Sequence, residues 1–215
     1  MHYSKGLTVS AVFAAVAGAG VLVVGCSSST PPPAAPERPD LHAAPTHVRW
    51  VDFQGVQVPV ADQGPRRIDG PVATGYDPSP SGAGLAAIES TVRMSIAEDA
   101  QWAQVGQQLL TAGPGRDRWA TARVQVSITG PVPAGAAPRV LGYTVIDYTP
   151  ARADVAIYTR QVDGSLTRNA VREIRHEDSW LLDLPATPHT PSVAAVTGTP
   201  ADMVHLPVRT QEPTR

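Results

Sequence analysis

The spacing of apolar residues changes once along the chain, and this change limits the possible folds. Within residues 81–110 apolar side chains recur every three or four positions, which is the period of an amphipathic helix. From Arg123 onward they alternate with polar side chains, which is the period of a half-buried β-strand. Helices followed by a run of strands are typical of α+β domains, in which helices pack on one face of an antiparallel sheet.

Two helices are predicted in the first region. The first begins at Ser81, which suits an N-cap, and its apolar face is formed by Leu85, Ile88, Val92 and Ile96. Ser95 and Glu98 match a capping box, so the helix is expected to break there and restart. Gly113-Pro114-Gly115 is expected to end the second helix, with a strand after it.

Strands are predicted on both sides of these helices. A short β-hairpin over residues 48–60 turns at Gly55, and Pro59, which has no N–H to donate, places its second strand at a sheet edge. About five antiparallel strands follow the helices, over residues 123–128, 139–148, 153–160, 166–176 and 180–184. The predicted fold is therefore two N-terminal helices packed on a curved antiparallel sheet, preceded by a short β-hairpin.

Proline marks the ends of the chain. Of 215 residues 22 are proline, crowded toward both termini, whereas the overall hydrophobic content of 42% is enough for a core in the middle. We predict a signal segment over 1–25, a Pro/Ser/Ala-rich tether over 26–46, an α+β domain over 47–185 and a disordered tail over 186–215.

The signal segment ends in a motif with a specific chemistry. Residues 7–25 carry no charge and follow Lys5, as in a secretory signal. Val23-Val24-Gly25-Cys26 resembles a bacterial lipobox, in which a peptidase cuts between Gly25 and Cys26 and the thiol takes a diacylglycerol. The alternative is an uncleaved signal anchor with a chance cysteine. We expect lipidation at Cys26, which would anchor the protein to the extracytoplasmic face of the cell membrane.

Composition and motifs exclude several functional classes. The net charge is −2 and no basic stripe is present, so no nucleic-acid partner is expected. A single cysteine can form neither an intrachain disulfide nor a cysteine-rich zinc site, and the histidines are scattered. The sequence contains no catalytic signature, so we expect no enzyme activity, no catalytic residue, no metal and no cofactor.

A few polar and aromatic residues are candidates for a pocket. They are Tyr143, Asp147, Tyr158 and Trp102, with Asp154, Tyr148 and His176 as further candidates for acid–base chemistry. Asp147 beside tyrosines could act as a base if burial raised its pKa. The alternative is that Asp147 and Asp154 flank a turn and are solvated. The charge run over residues 172–178 is interpreted as a solvated sheet face with cross-strand ion pairs.

The region from Trp50 to about Leu184 resembles an uncharacterised domain of actinobacterial exported proteins, often linked to mobile elements. The residues that carry the resemblance are Gly55–Val60, Gly64-Pro65, Gly75-Tyr76, Pro80–Ala83, Ala86-Ala87 and Trp180–Leu182. The helix-then-strand order and the closing acidic turn also resemble the nuclear-transport-factor-2-like cone, especially exported domains of conjugation and type IV secretion assembly proteins. The resemblance implies such a cone and a role at the cell envelope.

Two functions remain open from the sequence. The first is a non-catalytic interaction or assembly domain on a lipoprotein, with a protein partner at the envelope and possible association with conjugation or secretion. The second is a pocket protein that binds a small apolar ligand or, less readily, catalyses a reaction. An exposed edge strand at Val56–Val60 would favour the first, through strand addition, and a deep apolar pocket the second.

Overall fold

The structure is a computed structural model that describes residues 38–187 and 192–208. The predicted signal segment, with Gly25 and Cys26, and most of the predicted tether lie outside the described residues. The helices are α1 (Pro80–Ile96), α2 (Trp102–Gln108) and α3 (Pro114–Arg123). The strands are β1 (Arg49–Phe53), β2 (Val56–Val60), β3 (Arg67–Asp69), β4 (Val72–Thr74), β5 (Arg139–Thr149), β6 (Arg152–Arg160), β7 (Leu166–His176), β8 (Ser179–Asp183), β9 (Val193–Val196) and β10 (Val204–His205).

Six of the described strands form one antiparallel sheet in the order β10-β5-β6-β7-β8, with β9 also paired to β7. Strand β6 pairs with one edge of β7 along most of its length. On the other edge β8 pairs with Arg172–His176 and β9 pairs with Leu166–Asn169. Strands β8 and β9 therefore lie in line, as two successive parts of one neighbour of β7.

The hairpin predicted over residues 48–60 is present as β1 and β2. Gln54 and Gly55 both have positive φ, 51° and 82°, which is the geometry of a tight two-residue hairpin turn. A second hairpin, β3 and β4, precedes the helices. The strands predicted over 139–148, 153–160, 166–176 and 180–184 correspond to β5–β8, because alternation and turn residues specify them locally.

The main core lies between α1 and one face of the sheet. Leu85 and Ile88 pack in one cluster with Tyr143, Val155 and Trp180, and all five are at most 1% exposed. The helix also contacts β2 and β4, so its first three turns are buried on all sides. A Cβ added to Gly84 would lie 2.2 Å from the ring of Tyr143, so the absence of a side chain there lets helix and sheet approach.

The predicted fold class, two N-terminal helices on a nuclear-transport-factor-2-like cone, is wrong. The described residues contain three helices, they lie in the middle of the chain, and two hairpins precede them. The third helix begins at Pro114, since proline is favoured in the first turn, where its missing N–H costs no hydrogen bond. Trp119 of this helix packs edge-on against Trp102 of α2, with ring centroids 6.0 Å apart.

Two local predictions also differ from the structure. Residues 123–128 alternate in sequence but form no strand, and Val124 and Val126 are 66% and 54% exposed. The N-cap of α1 is Ser79, whose Oγ accepts a hydrogen bond from the Gly82 N–H at 3.1 Å, and not Ser81.

Segments assigned in the sequence to the tether and the tail contact the folded domain. Leu41 packs against the main core and Pro45 is buried. Near the C-terminus, Val193–Val196 and Val204–His205 are the strands β9 and β10. Met203 packs with Ala156 and Tyr158 on the face of the sheet opposite α1, so this segment covers part of the second face. Within the described residues, no helix has both the length and the apolar character needed to span a membrane.

Candidate functional site

The four residues predicted to share a pocket are not brought together. Tyr143 is fully buried against α1, and burial raises its pKa. Tyr158 is buried on the opposite face of the sheet, beside Met203. Asp147 is half-exposed and accepts a 2.6 Å hydrogen bond from Arg152. Trp102 lies on α2 with the guanidinium of Arg123 5.9 Å from its ring centroid.

The remaining acid–base candidates are also engaged in structural contacts, although Asp154 lies directly opposite Asp147 in the register of β5 and β6. Asp154 pairs across the sheet with Arg172 at 2.7 Å. Tyr148 packs beside Trp180, with ring centroids 5.9 Å apart, and His176 is exposed at the end of β7. None of these contacts joins an acid to a base around a common space.

A set of polar side chains that the sequence did not predict to form a site is buried where α1 packs on its neighbours. We call it the buried polar cluster, and it consists of Tyr76, Glu89, Ser90, Arg93 and Glu173, each at most 3% exposed. Arg93 Nε donates to Glu89 Oε2 at 2.8 Å, one helical turn away. The guanidinium of Arg93 also lies 4.4 Å from the ring centroid of Phe53.

Glu173 joins this cluster from the sheet. Ser90 Oγ donates to Glu173 Oε1 at 2.9 Å. Burial, with a smaller contribution from the charge of Asp183, raises the pKa of Glu173 to about 8, although the Ser90 hydrogen bond opposes that shift. The carboxyl group is therefore mostly protonated at neutral pH. Glu173 was predicted to lie on a solvated face, but its register opposite Ala153 turns it toward the core.

The same burial affects the other titratable groups of the cluster. Burial raises the pKa of Glu89, and the neighbouring Arg93 partly offsets this. Burial, together with the charge of Glu89, raises the pKa of Tyr76. Because these side chains are buried between α1 and the elements packed against it, a substrate could contact them only if the helix moved. The cluster is thus placed to fix the helix on the sheet.

An open cleft lies at the end of the sheet where β5 begins, with a cavity volume of about 480 Å³. Four separate segments form its walls: the β1–β2 hairpin, residues 137–141, the facing ends of β6 and β7, and residues 199–208. Its apolar lining includes Trp50, Val140, Leu141, Leu166, Met203 and Val208. Trp50 Nε1 donates to the Pro207 carbonyl oxygen at 3.0 Å, which ties the C-terminal wall to the hairpin.

The charged residues that the structure describes in the lining of this cleft are basic. Arg139 and Arg160 both line it and are direct cross-strand partners between β5 and β6. His205 lines it as well, and among the described residues the lining contains no aspartate or glutamate. Within residues 38–187 and 192–208 neither arginine makes an ion pair. Like charges in this position repel, so the arrangement favours an anion between them.

The sequence contained one signal for this arginine pair. The two strands predicted over 139–148 and 153–160 form a hairpin, whose register brings their outer ends, Arg139 and Arg160, face to face. The apolar walls carried no comparable signal. They come largely from residues 199–208, which have little periodicity and which the sequence assigned to a tail.

A second, shallower hollow of about 330 Å³ lies beside Trp102, Arg123 and Asp99. Asp99 accepts hydrogen bonds from the Ile128 N–H at 2.9 Å and from Ser127 Oγ at 2.7 Å. These bonds hold the pKa of Asp99 down at about 2. The carboxylate therefore holds the loop after α3 in place through these hydrogen bonds. Among the described residues, no group of three or more His, Cys, Asp or Glu side chains is arranged to hold a metal ion.

Comparison with protein-family models gives one match. The model described as Domain of unknown function (DUF8175) matches residues 19–201, a range that includes the helices and all the strands except β10. No curated protein matches the chain, and no solved structure matches it.

Proposed function

We propose a function for this chain, which belongs to the DUF8175 domain family. It is a lipid-anchored protein of the extracytoplasmic membrane face, and its domain binds a ligand or partner without catalysing a reaction. The observation that carries the proposal is the basic, apolar-walled cleft at the start of β5. It combines concave apolar surface with a few polar groups, which is the usual composition of a binding site.

The chemistry of the cleft supports binding over catalysis. Its strongest charges are guanidinium groups, which remain protonated near neutral pH and so hold anions but do not exchange protons with a substrate. The carboxyl group with the strongly raised pKa, Glu173, is buried beneath α1 and does not line the cleft. The buried carboxyl groups of Glu89 and Glu173 and the open cavity thus lie in different parts of the domain.

The lipid anchor is supported by the lipobox-like Val23–Cys26. A signal peptidase needs small side chains at the cut site, and the cysteine thiol supplies the nucleophile for acylation. Each buried methylene contributes about 0.8 kcal/mol to membrane binding, so several acyl chains would hold the protein firmly. A role beside a conjugation or secretion apparatus is predicted by the sequence resemblance alone. The cleft is not evidence for that role.

The anchor is tested by metabolic labelling of the full chain in its native host with an alkyne fatty acid. We expect label on the wild type, no label on Cys26→Ala, and unchanged label on Ser27→Ala as the control beside it. Equal label on Cys26→Ala would overturn the anchor and leave the cleft proposal standing.

The cleft is tested by photo-crosslinking in intact cells. A photoreactive phenylalanine analogue replaces Val208, which lines the cleft and is 74% exposed, or Ile68, which is 49% exposed on β3 and does not line it. Mass spectrometry should find an adduct at position 208 that is lacking at position 68. The same result at both positions, or no adduct at 208, would contradict a binding role for the cleft.

A further inference from the structure

We infer that the cleft binds a small amphipathic anion, with a carboxylate or phosphate head held by Arg139 and Arg160 and an apolar body against the cleft wall. This inference rests on the proposed function, because it names the ligand class of the same cleft. Both parts of the ligand follow from the residues that line the cavity.

The head group follows from the arginine pair. Arg139 and Arg160 face each other across β5 and β6, both are exposed, and no acidic side chain of residues 38–187 or 192–208 lines the cleft beside them. Two opposed guanidinium groups repel, and an anion shared by both removes that repulsion. Guanidinium also matches the planar geometry of carboxylate and phosphate oxygens, so both head groups fit this chemistry. His205 adds a third basic group to the lining.

The body of the ligand follows from the walls. Leu141 and Leu166 are half-buried, and Met203 is nearly buried, so this part of the cleft offers apolar surface next to the arginines. Val208 extends that surface outward and is 74% exposed. The volume, about 480 Å³, lies within the roughly 300–1,000 Å³ typical of small-molecule sites. An apolar ligand segment would cover side chains that now contact water.

The alternative, an added peptide strand, is less well supported. The edge strand proposed from the sequence, Val56–Val60, has four of its five residues buried. Next to the cleft, the edge of β5 is already paired by the chain itself, through Val204 and His205. The Leu206 N–H continues that pairing to the Leu141 carbonyl oxygen at 3.0 Å. The backbone positions that an incoming strand would need here are therefore occupied.

The inference is tested with probes that share one short chain and differ in the head. Octanoate, octyl phosphate, octanol and octyltrimethylammonium are titrated by calorimetry into the full lipidated chain in phosphatidylcholine nanodiscs, with empty nanodiscs subtracted. We expect at least one anionic probe to bind about tenfold or more tightly than octanol, since hydrogen bonds to charged groups contribute more than neutral ones. The ratio between octanoate and octyl phosphate identifies the preferred head.

The matched variants separate the head site from general charge. Arg139→Gln/Arg160→Gln should lower the affinity for the anionic probes to that for octanol. Val208→Glu, at an exposed position, should also lower the affinity for the anionic probes without affecting folding. Arg116→Gln on α3, outside the cleft, should leave them unchanged. Circular dichroism checks that each variant is folded.

Three outcomes would overturn the inference: octanol binding as tightly as both anions, the cationic probe binding tightest, or no probe binding at all. A crosslinked protein at position 208, without small-molecule binding, would also overturn it while leaving the cleft as a binding site. No adduct at position 208 would instead contradict the proposed function.

Discussion

The buried polar cluster and the cleft both contain arginine, but they place it in opposite surroundings. Arg93 is 1% exposed and lies against its own carboxylate, Glu89, in a space that α1 closes. Arg139 and Arg160 are exposed, face each other and have no acidic partner in the described chain. A buried arginine that is paired with a carboxylate of the same chain helps to hold the fold together. An exposed arginine without such a partner is available to a ligand. The two regions therefore separate folding from binding.

The largest expected loss of stability is at Arg93. Arg93→Met would leave the Glu89 carboxylate buried without its cation, which typically costs about 3–5 kcal/mol in the free energy of unfolding. Urea denaturation followed by circular dichroism measures the loss. The double variant Glu89→Gln/Arg93→Met should lose less, because neither side chain is then charged. Equal losses in both variants would show that packing, and not charge, decides the effect.

The next largest effect concerns pH and Glu173. The native carboxyl group keeps its proton up to a pKa of about 8, whereas in the unfolded chain it loses the proton near its ordinary pKa of 4.5. Between these values the native state binds more protons, so raising the pH favours unfolding. From pH 5 to pH 8 the contribution of this group to stability should fall by up to about 3 kcal/mol.

Glu173→Gln tests that dependence, since the amide is neutral throughout and can still accept from Ser90. Stability measured by urea denaturation should fall less between pH 5 and pH 8 in this variant than in the wild type. Asp163→Asn, on the exposed turn before β7, serves as the control because the pKa of Asp163 is lowered, not raised. Parallel pH profiles for Glu173→Gln and the wild type would contradict the prediction.

A smaller effect is expected where α1 meets the sheet. Gly84→Ala places a methyl group about 2.2 Å from the Tyr143 ring, so helix and sheet must separate. Overpacking of this kind costs about 1–3 kcal/mol, more than the helix propensity of alanine recovers. Gly130→Ala is the matched control, because a Cβ there meets no atom within 4 Å. Thermal denaturation should distinguish the two variants, and equal melting temperatures would argue against close packing at Gly84.

The smallest expected change in the free energy of unfolding is in the cleft. It is an increase, whereas the variants above lower that free energy. Arg139→Gln/Arg160→Gln removes a pair of opposed like charges and should raise the free energy of unfolding by about 0.2–1 kcal/mol. Arg172→Gln, which removes the cross-strand partner of Asp154, should instead lower it by no more than about 1 kcal/mol. A clear loss of stability in the double variant would mean that the cleft arginines stabilise the fold, and would remove the contrast with Arg93.

The strands after residue 138 could be predicted because alternation and turn residues specify them locally. The third helix could not, since Gly113-Pro114-Gly115 looks like a helix end, yet Pro114 is equally suited to a first turn. The alternating valines that follow it are apolar but exposed, so alternation there did not indicate a buried face.

The sites were harder to predict than the strands, for a different reason. Glu173 sits in a charged run that resembles a solvated surface, and only its register opposite Ala153 turns it inward. The cleft needs segments that are far apart in sequence, and the short strands β9 and β10 leave no periodic pattern. Strands specified by local alternation and turn residues could be predicted from the sequence. The buried polar cluster and the cleft could not, because they depend on residues that are distant in sequence.

The C-terminal wall of the cleft has a consequence for biosynthesis. Residues 199–208 are made after every strand from β1 to β9, so the edge strand β10 and one side of the cleft are the last parts of the described fold to be synthesised. The pairing of β10 with β5 and the Trp50–Pro207 hydrogen bond hold that side in place, and Val204 and Leu206 also pack in the main core. A chain clipped before Thr199 would lose this wall of the cleft together with the core residues Val204 and Leu206, so proteolysis at this point would remove binding and weaken the core at the same time.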